Sequence, residues 1–388
     1  MSADLLPPGG VLLHIGPYKT GSTSIQYALF DRQDDLRQRG VIFPGDTHRQ
    51  RRPGWGVLGW TPRGRKRATV DEWYALVDSV RDVGEHRVCL TTEDFGWANA
   101  AQASRIVADL GAARVHVLAV VRRLDRLLPS EWQERVKTFH ETKPYDDWLR
   151  AVLGDDRTEP SAHEFWASHD VGAQLSNWTS ALPPAQMTVL VTDDRDRGAL
   201  AGIFERMLGL PDGYLHTSVE ANPSLTAERI ELLRRLNVAS ASNGWSDRLH
   251  LFAVEVGVKS ALMAAPPSPF DHQLPPLPAW ALERVAVLSE EQINEIRESG
   301  VDVVGDLASL RIPTQPTPVP AAEPPGAVSV EASAMALEGA LDGAVRLLTQ
   351  TQRKHKRELT ALRQQLADAR RQLAAHTDDS AAAPYAGS

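Results

Sequence analysis

Short, continuous apolar runs alternate with amphipathic stretches along most of the chain. The runs at residues 11–15, 87–92 and 115–121 have the composition of strands buried on both faces of a parallel sheet. Residues 22–39 and 70–83 instead show the spacing of helices with one apolar face. The alternation predicts an α/β fold in which a central parallel sheet is flanked by helices.

The first apolar run leads into a glycine-containing loop and then a helix, an order that is P-loop-like. Gly16-Pro17 forces a turn, residues 20–23 are small or carry hydroxyls, and helical character resumes at Ser24. Backbone N–H groups at the start of such a helix, together with the helix dipole, bind phosphate without a metal. The stretch predicts an anion-binding loop; the alternative is a strand–helix turn that binds nothing.

The position of the lysine in this loop indicates which phosphate it would bind. Gly16 and Gly21 have the Walker A spacing, but Ser22 stands where a nucleoside triphosphatase has lysine. The cation is Lys19, inside the loop, where it would lie near the bridging oxygen of a 5′-linked group. The sequence GPYKTGSTSIQ resembles the 5′-phosphosulfate loop of the sulfotransferase family, whose donor is 3′-phosphoadenosine 5′-phosphosulfate (PAPS).

A second segment, VVRRLDRLLPS, resembles the 3′-phosphate motif of the same family. It places Arg122 directly after a strand and Ser130 several residues later. The planar fork of arginine suits a terminal phosphate because it donates two parallel hydrogen bonds. Arg123 and Arg126 fit a solvated helix start better. The donor-binding residues implied by the resemblance are Pro17, Tyr18, Lys19, Thr20, Gly21, Ser22, Thr23, Arg122 and Ser130.

The resemblance also implies two catalytic residues. Lys19 would neutralise the charge that builds on the departing phosphate. Glu93 follows the second core strand, where ligands meet catalytic groups in parallel sheets. In the sugar-modifying branch of the family a glutamate in a similar motif is the general base, although TTEDF matches that motif only loosely. A histidine remains the alternative base, but His14, inside the first strand, is predicted to be a core residue.

Composition and charge narrow the classes of function. A net charge of −8 excludes a broad nucleic-acid surface, and no two histidines have metal-ligand spacing with a carboxylate, so no metal is predicted. The single cysteine, Cys89, excludes an intramolecular disulfide and predicts an inert core residue in a reducing compartment. The absence of a signal-like N-terminus and of a transmembrane stretch predicts a cytoplasmic protein.

Residues 49–67 carry arginine and lysine with no acidic residue, together with Trp55 and Trp60. One interpretation is a solvated, mobile loop. The other is a lid on the acceptor side, in which tryptophan faces stack on sugar or apolar groups and arginines bind an anionic acceptor.

The C-terminal part has a different composition. Residues 1–311 are predicted to form the catalytic domain, 312–335 a Pro/Ala-rich linker, 336–376 a coiled-coil helix and 377–388 a disordered tail. The helix predicts a homo-oligomer, with a single solvated amphipathic helix as the alternative. The heptad positions are Leu341, Val345, Leu348, Gln352, His355, Leu359, Leu362, Leu366, Ala369 and Leu373.

The resemblance implies a PAPS-dependent sulfotransferase of the bacterial type, acting on a small-molecule or glycan acceptor. A carbohydrate or glycolipid hydroxyl is the preferred acceptor, on the strength of Glu93 and the basic tryptophan-containing segment. Two alternatives remain open. One is a P-loop kinase that uses ATP and magnesium, and the other is a non-catalytic scaffold assembled by the coiled coil.

Overall fold

The structure of the chain is a computed structural model. It describes residues 4–192, 198–216, 225–269, 271–312 and 327–381, with side chains to residue 371.

Six parallel strands form one central sheet in the order β2-β3-β1-β4-β5-β6. This arrangement, with helices around the sheet, confirms the predicted fold class. The strands are β1 (Val11–His14), β2 (Val41–Ile42), β3 (Arg87–Thr91), β4 (Val115–Arg122), β5 (Met187–Thr192) and β6 (Asp302–Val304).

Some helices of the described ranges pack on the sheet, and others form a separate apolar core of their own. Together they are α1 (Ser22–Asp31), α2 (Gln33–Gln38), α3 (Arg51–Leu58), α4 (Val70–Ser79), α5 (Ala100–Leu110), α6 (Leu124–Thr138), α7 (Tyr145–Leu153), α8 (Pro160–His169), α9 (Val171–Thr179), α10 (Ala199–Leu208), α11 (Ala227–Ser242), α12 (Asp247–His250), α13 (Lys259–Ala264), α14 (Ala279–Glu298) and α15 (Val330–Ala381). A π-helix, Leu251–Val258, joins α12 to α13.

The centre of the sheet determines where the site lies. Strand β1 lies between β3 and β4, and its alternate side chains enter two apolar cores, with Leu13 on one face and Leu12 on the other. Because the strands are parallel, the loops that follow β1, β3 and β4 meet at one edge. Cys89 of β3 is buried beside Leu12, and burial raises the pKa of its thiol, in agreement with the inert core residue that was predicted.

The C-terminal helix starts earlier than the sequence predicted, and its first turns belong to the domain. Helix α15 begins at Val330, inside the predicted linker. Its residues Ala332 and Ala336 are buried in an apolar core that is formed by helices and is separate from the two cores on the faces of the sheet. Residues 313–326 of that linker lie outside the described part of the chain. Residues 377–381 are helical, and the remainder of the predicted disordered tail, residues 382–388, also lies outside the described part.

Candidate active site

The loop between β1 and α1 is held by its own backbone conformation. Gly16, Lys19 and Gly21 all have positive φ, of 87°, 66° and 94°, and Gly21 is the residue that precedes the first turn of α1. A Cβ on Gly16 would lie 2.9 Å from Cα of Glu93, so glycine allows the loop to approach the end of β3. Lys19 adopts a conformation that is costly for any residue but glycine.

Nearly all of the predicted site residues line one cavity of about 230 Å³ at the carboxyl edge of the sheet. Arg49 and Glu134 line it as well, and neither was predicted. Pro17 and Thr20 are not among the lining residues; Thr20 Oγ1 donates a hydrogen bond of 2.9 Å to the Pro17 carbonyl and so shapes the loop. The cavity is lined by Tyr18, Lys19, Gly21, Ser22, Thr23, Arg49, Glu93, Arg122, Ser130 and Glu134.

Glu93 is a buried carboxylate that ties the loop to its surroundings. Its Oε1 accepts a hydrogen bond of 2.5 Å from Ser22 Oγ and one of 3.2 Å from Gln26, and its Oε2 lies 3.5 Å from Arg49 Nη1. Burial by itself would raise the Glu93 pKa, but Arg49, the Ser22 hydroxyl and His14 outweigh it and lower the pKa to about 2. The group is therefore ionised at neutral pH and already accepts hydrogen bonds from loop and helix.

Two arginines at the start of α3 hold the loop, and Arg49 also lines the cavity. Arg49, just before α3, donates from Nη2 to Thr23 Oγ1 at 2.9 Å. Arg51 lies 3.3 Å from Asp94 Oδ2 and donates to the Tyr18 hydroxyl at 3.1 Å, and that hydroxyl donates to Asp94 Oδ1 at 2.5 Å. Burial and the neighbouring Asp94 raise the Tyr18 pKa well above its usual value, so Tyr18 serves as a hydrogen-bonding neutral phenol.

The interpretation of residues 49–67 as a loop is wrong for residues 51–58, which form α3; residues 59–67 have no helix or strand. Trp55 is buried, and the half-buried Trp60 packs against the apolar core, with its ring 6.2 Å from that of Trp55 and 5.4 Å from that of Trp97. Arg52 pairs with Glu72 at 2.5 Å. The tryptophans therefore form part of the protein interior, and the segment contributes to the site through arginines.

Helix α6 brings two charged groups to the loop lysine. Lys19 Nζ lies 3.6 Å from Glu134 Oε2, and Lys137 Nζ lies 3.8 Å from the same atom. Burial would raise the Glu134 pKa, but the two lysines lower it to about 2. Burial lowers the pKa of Lys137, and the positive charge of Lys19 adds to this effect, so that the Lys137 pKa falls to about 8.

Arg122 and Ser130 reach the same cavity from β4 and α6. Arg122 is the last residue of β4, and its Nη1 donates to the Lys19 carbonyl at 3.2 Å, which ties the end of the strand to the loop. Arg123 pairs with Asp125 at the start of α6, in line with its prediction as a helix-start residue.

His14 is buried in β1, as predicted for a core residue. Its Nδ1 lies 2.8 Å from Thr91 Oγ1, and burial lowers its pKa to about 4, so it is neutral near pH 7. Across the described ranges there is no group of three or more His, Cys, Asp or Glu side chains placed to hold a metal ion. No helix within those ranges is both long and apolar enough to cross a membrane.

One of the two unpredicted lining residues left a signal in the sequence. Glu134 follows Ser130 by one helical turn, so both project from the same face of α6. The assignment of Ser130 could therefore have led to Glu134. Arg49 reaches the cavity because of the path that the chain takes just before α3. The basic composition of the segment around Arg49 gives no indication of that path.

No family model matches this chain, and no curated protein matches it. Among solved structures the chain is similar to a sulfotransferase from Alicyclobacillus acidocaldarius, with 18% sequence identity over 60% of this chain and 94% of that chain and a TM-score of 0.39. At this level of similarity, the function has to be inferred from the cavity itself.

Proposed function

We propose that this protein transfers a sulfuryl group from PAPS to an acceptor hydroxyl. The observation that carries the proposal is the convergence of the loop lysine and the Arg122/Ser130 pair on one cavity. The two halves resemble motifs for opposite ends of the same nucleotide, and they are far apart in sequence. Their meeting at one sheet edge is what a donor phosphorylated at both ends requires.

The residues of the cavity fit an anionic donor. The first N–H groups of α1 have no partners within the helix, and the left-handed conformation of Gly21 places them at the cavity. Ser22 and Thr23 add hydroxyls, and Lys19 and Arg122 add positive charge. We assign the 5′-phosphosulfate to the loop residues and the 3′-phosphate to Arg122 and Ser130.

In the proposed reaction the acceptor oxygen attacks sulfur in line with the departing phosphate. The bond from sulfur to the acceptor oxygen forms as the bond from sulfur to the bridging oxygen breaks, and 3′-phosphoadenosine 5′-phosphate leaves. Lys19 neutralises the charge on that oxygen, and aimed donors of this kind contribute roughly 3 kcal/mol each in comparable sites. The acceptor proton passes to a base, for which Glu93 remains the prediction.

The geometry defines what Glu93 must do to act as that base. With a pKa of about 2 it is ionised but weakly basic, and its oxygens accept hydrogen bonds from Ser22, Gln26 and Arg49. A carboxylate can accept about four hydrogen bonds, so Glu93 can take the acceptor proton without losing these contacts, most directly at Oε2, whose contact with Arg49 is the longest at 3.5 Å. Glu134, the second carboxylate of the cavity, is the comparison residue in tests of this role.

A carbohydrate or glycolipid hydroxyl remains the proposed acceptor class. The support comes from the resemblance around Glu93 alone, because Trp55 packs inside the protein. A screen of sugar and lipid acceptors with a radiolabelled donor would identify the class.

Calorimetry tests the donor assignment without an acceptor. We expect 3′-phosphoadenosine 5′-phosphate to bind more tightly than adenosine 5′-phosphosulfate or ATP, with no requirement for magnesium. Preference for magnesium–ATP would support the kinase alternative. Tight nucleotide binding without sulfuryl transfer to any acceptor or to water would support the scaffold alternative.

A further inference from the structure

Helix α15 exposes a stripe of large apolar side chains between residues 341 and 366. Its leucine and valine positions are between 53% and 60% exposed and follow one another at spacings that fit a heptad. They are Leu341, Val345, Leu348, Leu359, Leu362 and Leu366. A stripe of this length is long for a solvated surface and marks a contact with another helix.

The stripe lies on the side of α15 that faces away from the domain. The helix packs on the π-helix through small residues: a Cβ on Gly343 would lie 2.0 Å from the Phe252 carbonyl, and one on Gly339 would lie 2.6 Å from Gly257 O. At 3.6 residues per turn, Gly343 is about 200° around the axis from Leu341. The face that binds the domain and the exposed stripe are therefore separate, and a partner can bind the stripe without displacing the domain.

The charges beside the stripe discriminate between the two orientations of a paired helix. With Val345 at position a, the charged e positions are Asp342, Lys356, Arg363 and Arg370, and Glu358 is the charged g position. In the antiparallel pair that sets position 348 opposite position 366, e lies beside e and g beside g. Lys356 and Glu358 then each face their own copy, two like-charge contacts, and the one attraction is between Arg370 and Asp342. A parallel pair places g beside the next e of its partner and so brings Glu358 opposite Arg363.

We infer that two copies of this chain pair in parallel and in register through α15. Val345 at position a followed by Leu348 at position d is the combination that favours two strands, whereas the later apolar a positions, Leu359, Leu366 and Leu373, are leucine. Polar residues in the seam, Gln352 at a and His355 at d, specify register. The two domains then lie on opposite outer sides of the pair, at its N-terminal end. This inference is independent of the proposed reaction, since it uses none of the residues of the cavity.

Cysteine cross-linking tests the orientation on the full-length protein. The only cysteine of the chain, Cys89, is buried, so any disulfide cross-link that forms can be attributed to the introduced cysteine. In a parallel pair position 348 faces its own copy, whereas in an antiparallel pair of residues 341–373 it faces position 366. We expect Leu348→Cys to form a disulfide-linked dimer under mild oxidation and Gln350→Cys, on the outer face, to remain a monomer on denaturing gels.

Two further measurements separate the outcomes. Light scattering should give twice the chain mass of 42.5 kDa. Arg363→Glu should raise the dimer dissociation constant about fivefold or more, and Glu358→Arg/Arg363→Glu should restore it. A monomeric mass, a mass of three or more chains, or a dimer that shows no cross-link at position 348 would overturn the inference. So would cross-linking that appears only when Leu348→Cys and Leu366→Cys chains are mixed.

Discussion

Lys19 Nζ lies 3.6 Å from Glu134 Oε2, which places a carboxylate beside the lysine that we assign to the departing phosphate. The same carboxylate lies 3.8 Å from Lys137, so one negative charge is shared by two ammonium groups. An anionic donor entering the cavity would compete with Glu134 for Lys19. On this assignment Glu134 would oppose donor binding while it holds the lysine in place.

Replacing Glu134 by glutamine should strengthen binding of 3′-phosphoadenosine 5′-phosphate. Removal of one negative charge near the nucleotide contributes roughly 1 kcal/mol in a partly exposed site, or about fivefold in affinity. Titration calorimetry at low salt measures this change, and the gain should shrink at high salt. Glu290→Gln, which removes a carboxylate paired with Arg311 outside the cavity, is the control. Unchanged or weaker binding would show that Glu134 does not compete for Lys19.

Lys19→Ala should slow transfer much more than it weakens nucleotide binding. The charge that Lys19 neutralises develops as the bond to sulfur breaks, so its loss should reduce kcat roughly 10²- to 10³-fold. Nucleotide affinity should change by only a few fold, because the α1 N-terminus and Arg122 still bind the phosphates. Transfer of a radiolabelled sulfuryl group reports kcat, and Lys354→Ala, in the exposed part of α15, is the control. Near-normal turnover would remove Lys19 from the chemistry.

Arg122→Ala should abolish the discrimination between nucleotides with and without a 3′-phosphate. Hydrogen bonds to charged groups contribute roughly 1.5–3 kcal/mol, so the preference should fall by a factor of roughly 10 to 100. Arg126→Ala is the matched control, since its side chain lies on the same connection but is 58% exposed. Comparison of 3′-phosphoadenosine 5′-phosphate with adenosine 5′-phosphate by calorimetry decides the point; an unchanged preference would place the 3′-phosphate elsewhere.

The sequence predicted the parts of the site that depend on local order. Two of these parts are local features, namely the Gly16–Gly21 spacing and the position of Arg122 directly after a strand. Parallel strands bring the residues that follow them to the same edge of the sheet, so these features meet there in any such fold. The contacts of Arg49 and Glu134 depend on how α3 and α6 pack around that edge, which no local pattern encodes. For the same reason Glu93 was predicted at its strand end, but its hydrogen bonds to Ser22 and Arg49 were not.

The low pKa of Glu93 should make the protein less stable in mild acid. The pKa of the Glu93 carboxyl is about 2 in the folded state, against an ordinary value of 4.5. Its contribution to stability is therefore fully present above pH 4.5 and declines as the pH falls toward 2. Between pH 7 and pH 4 the loss should be about 1 kcal/mol from this residue. Urea unfolding at both pH values measures it. Glu93→Gln should be less stable at pH 7 and should lose about 1 kcal/mol less than the wild type over this range; equal losses would mean that Glu93 has an ordinary pKa.

The docking of α15 also changes where the C-terminal region can be removed. The composition alone suggests that deletion from Ile312 onward leaves an intact domain of lower oligomeric state. In the structure Ala332 and Ala336 are buried, so this deletion exposes apolar surface of the π-helix. We expect a loss of roughly 2 kcal/mol and a melting temperature lower by about 3 °C.

Deletion from Arg353 onward keeps the first turns of α15, which pack on the domain. It is the matched variant for the deletion from Ile312 onward. It should melt at the wild-type temperature when both are compared at low concentration, and it should be a monomer because it lacks Leu359, Leu362 and Leu366. Differential scanning calorimetry and light scattering of the two truncations separate the two functions of α15. Equal melting temperatures for both truncations would show that the first turns of the helix contribute nothing to the stability of the domain.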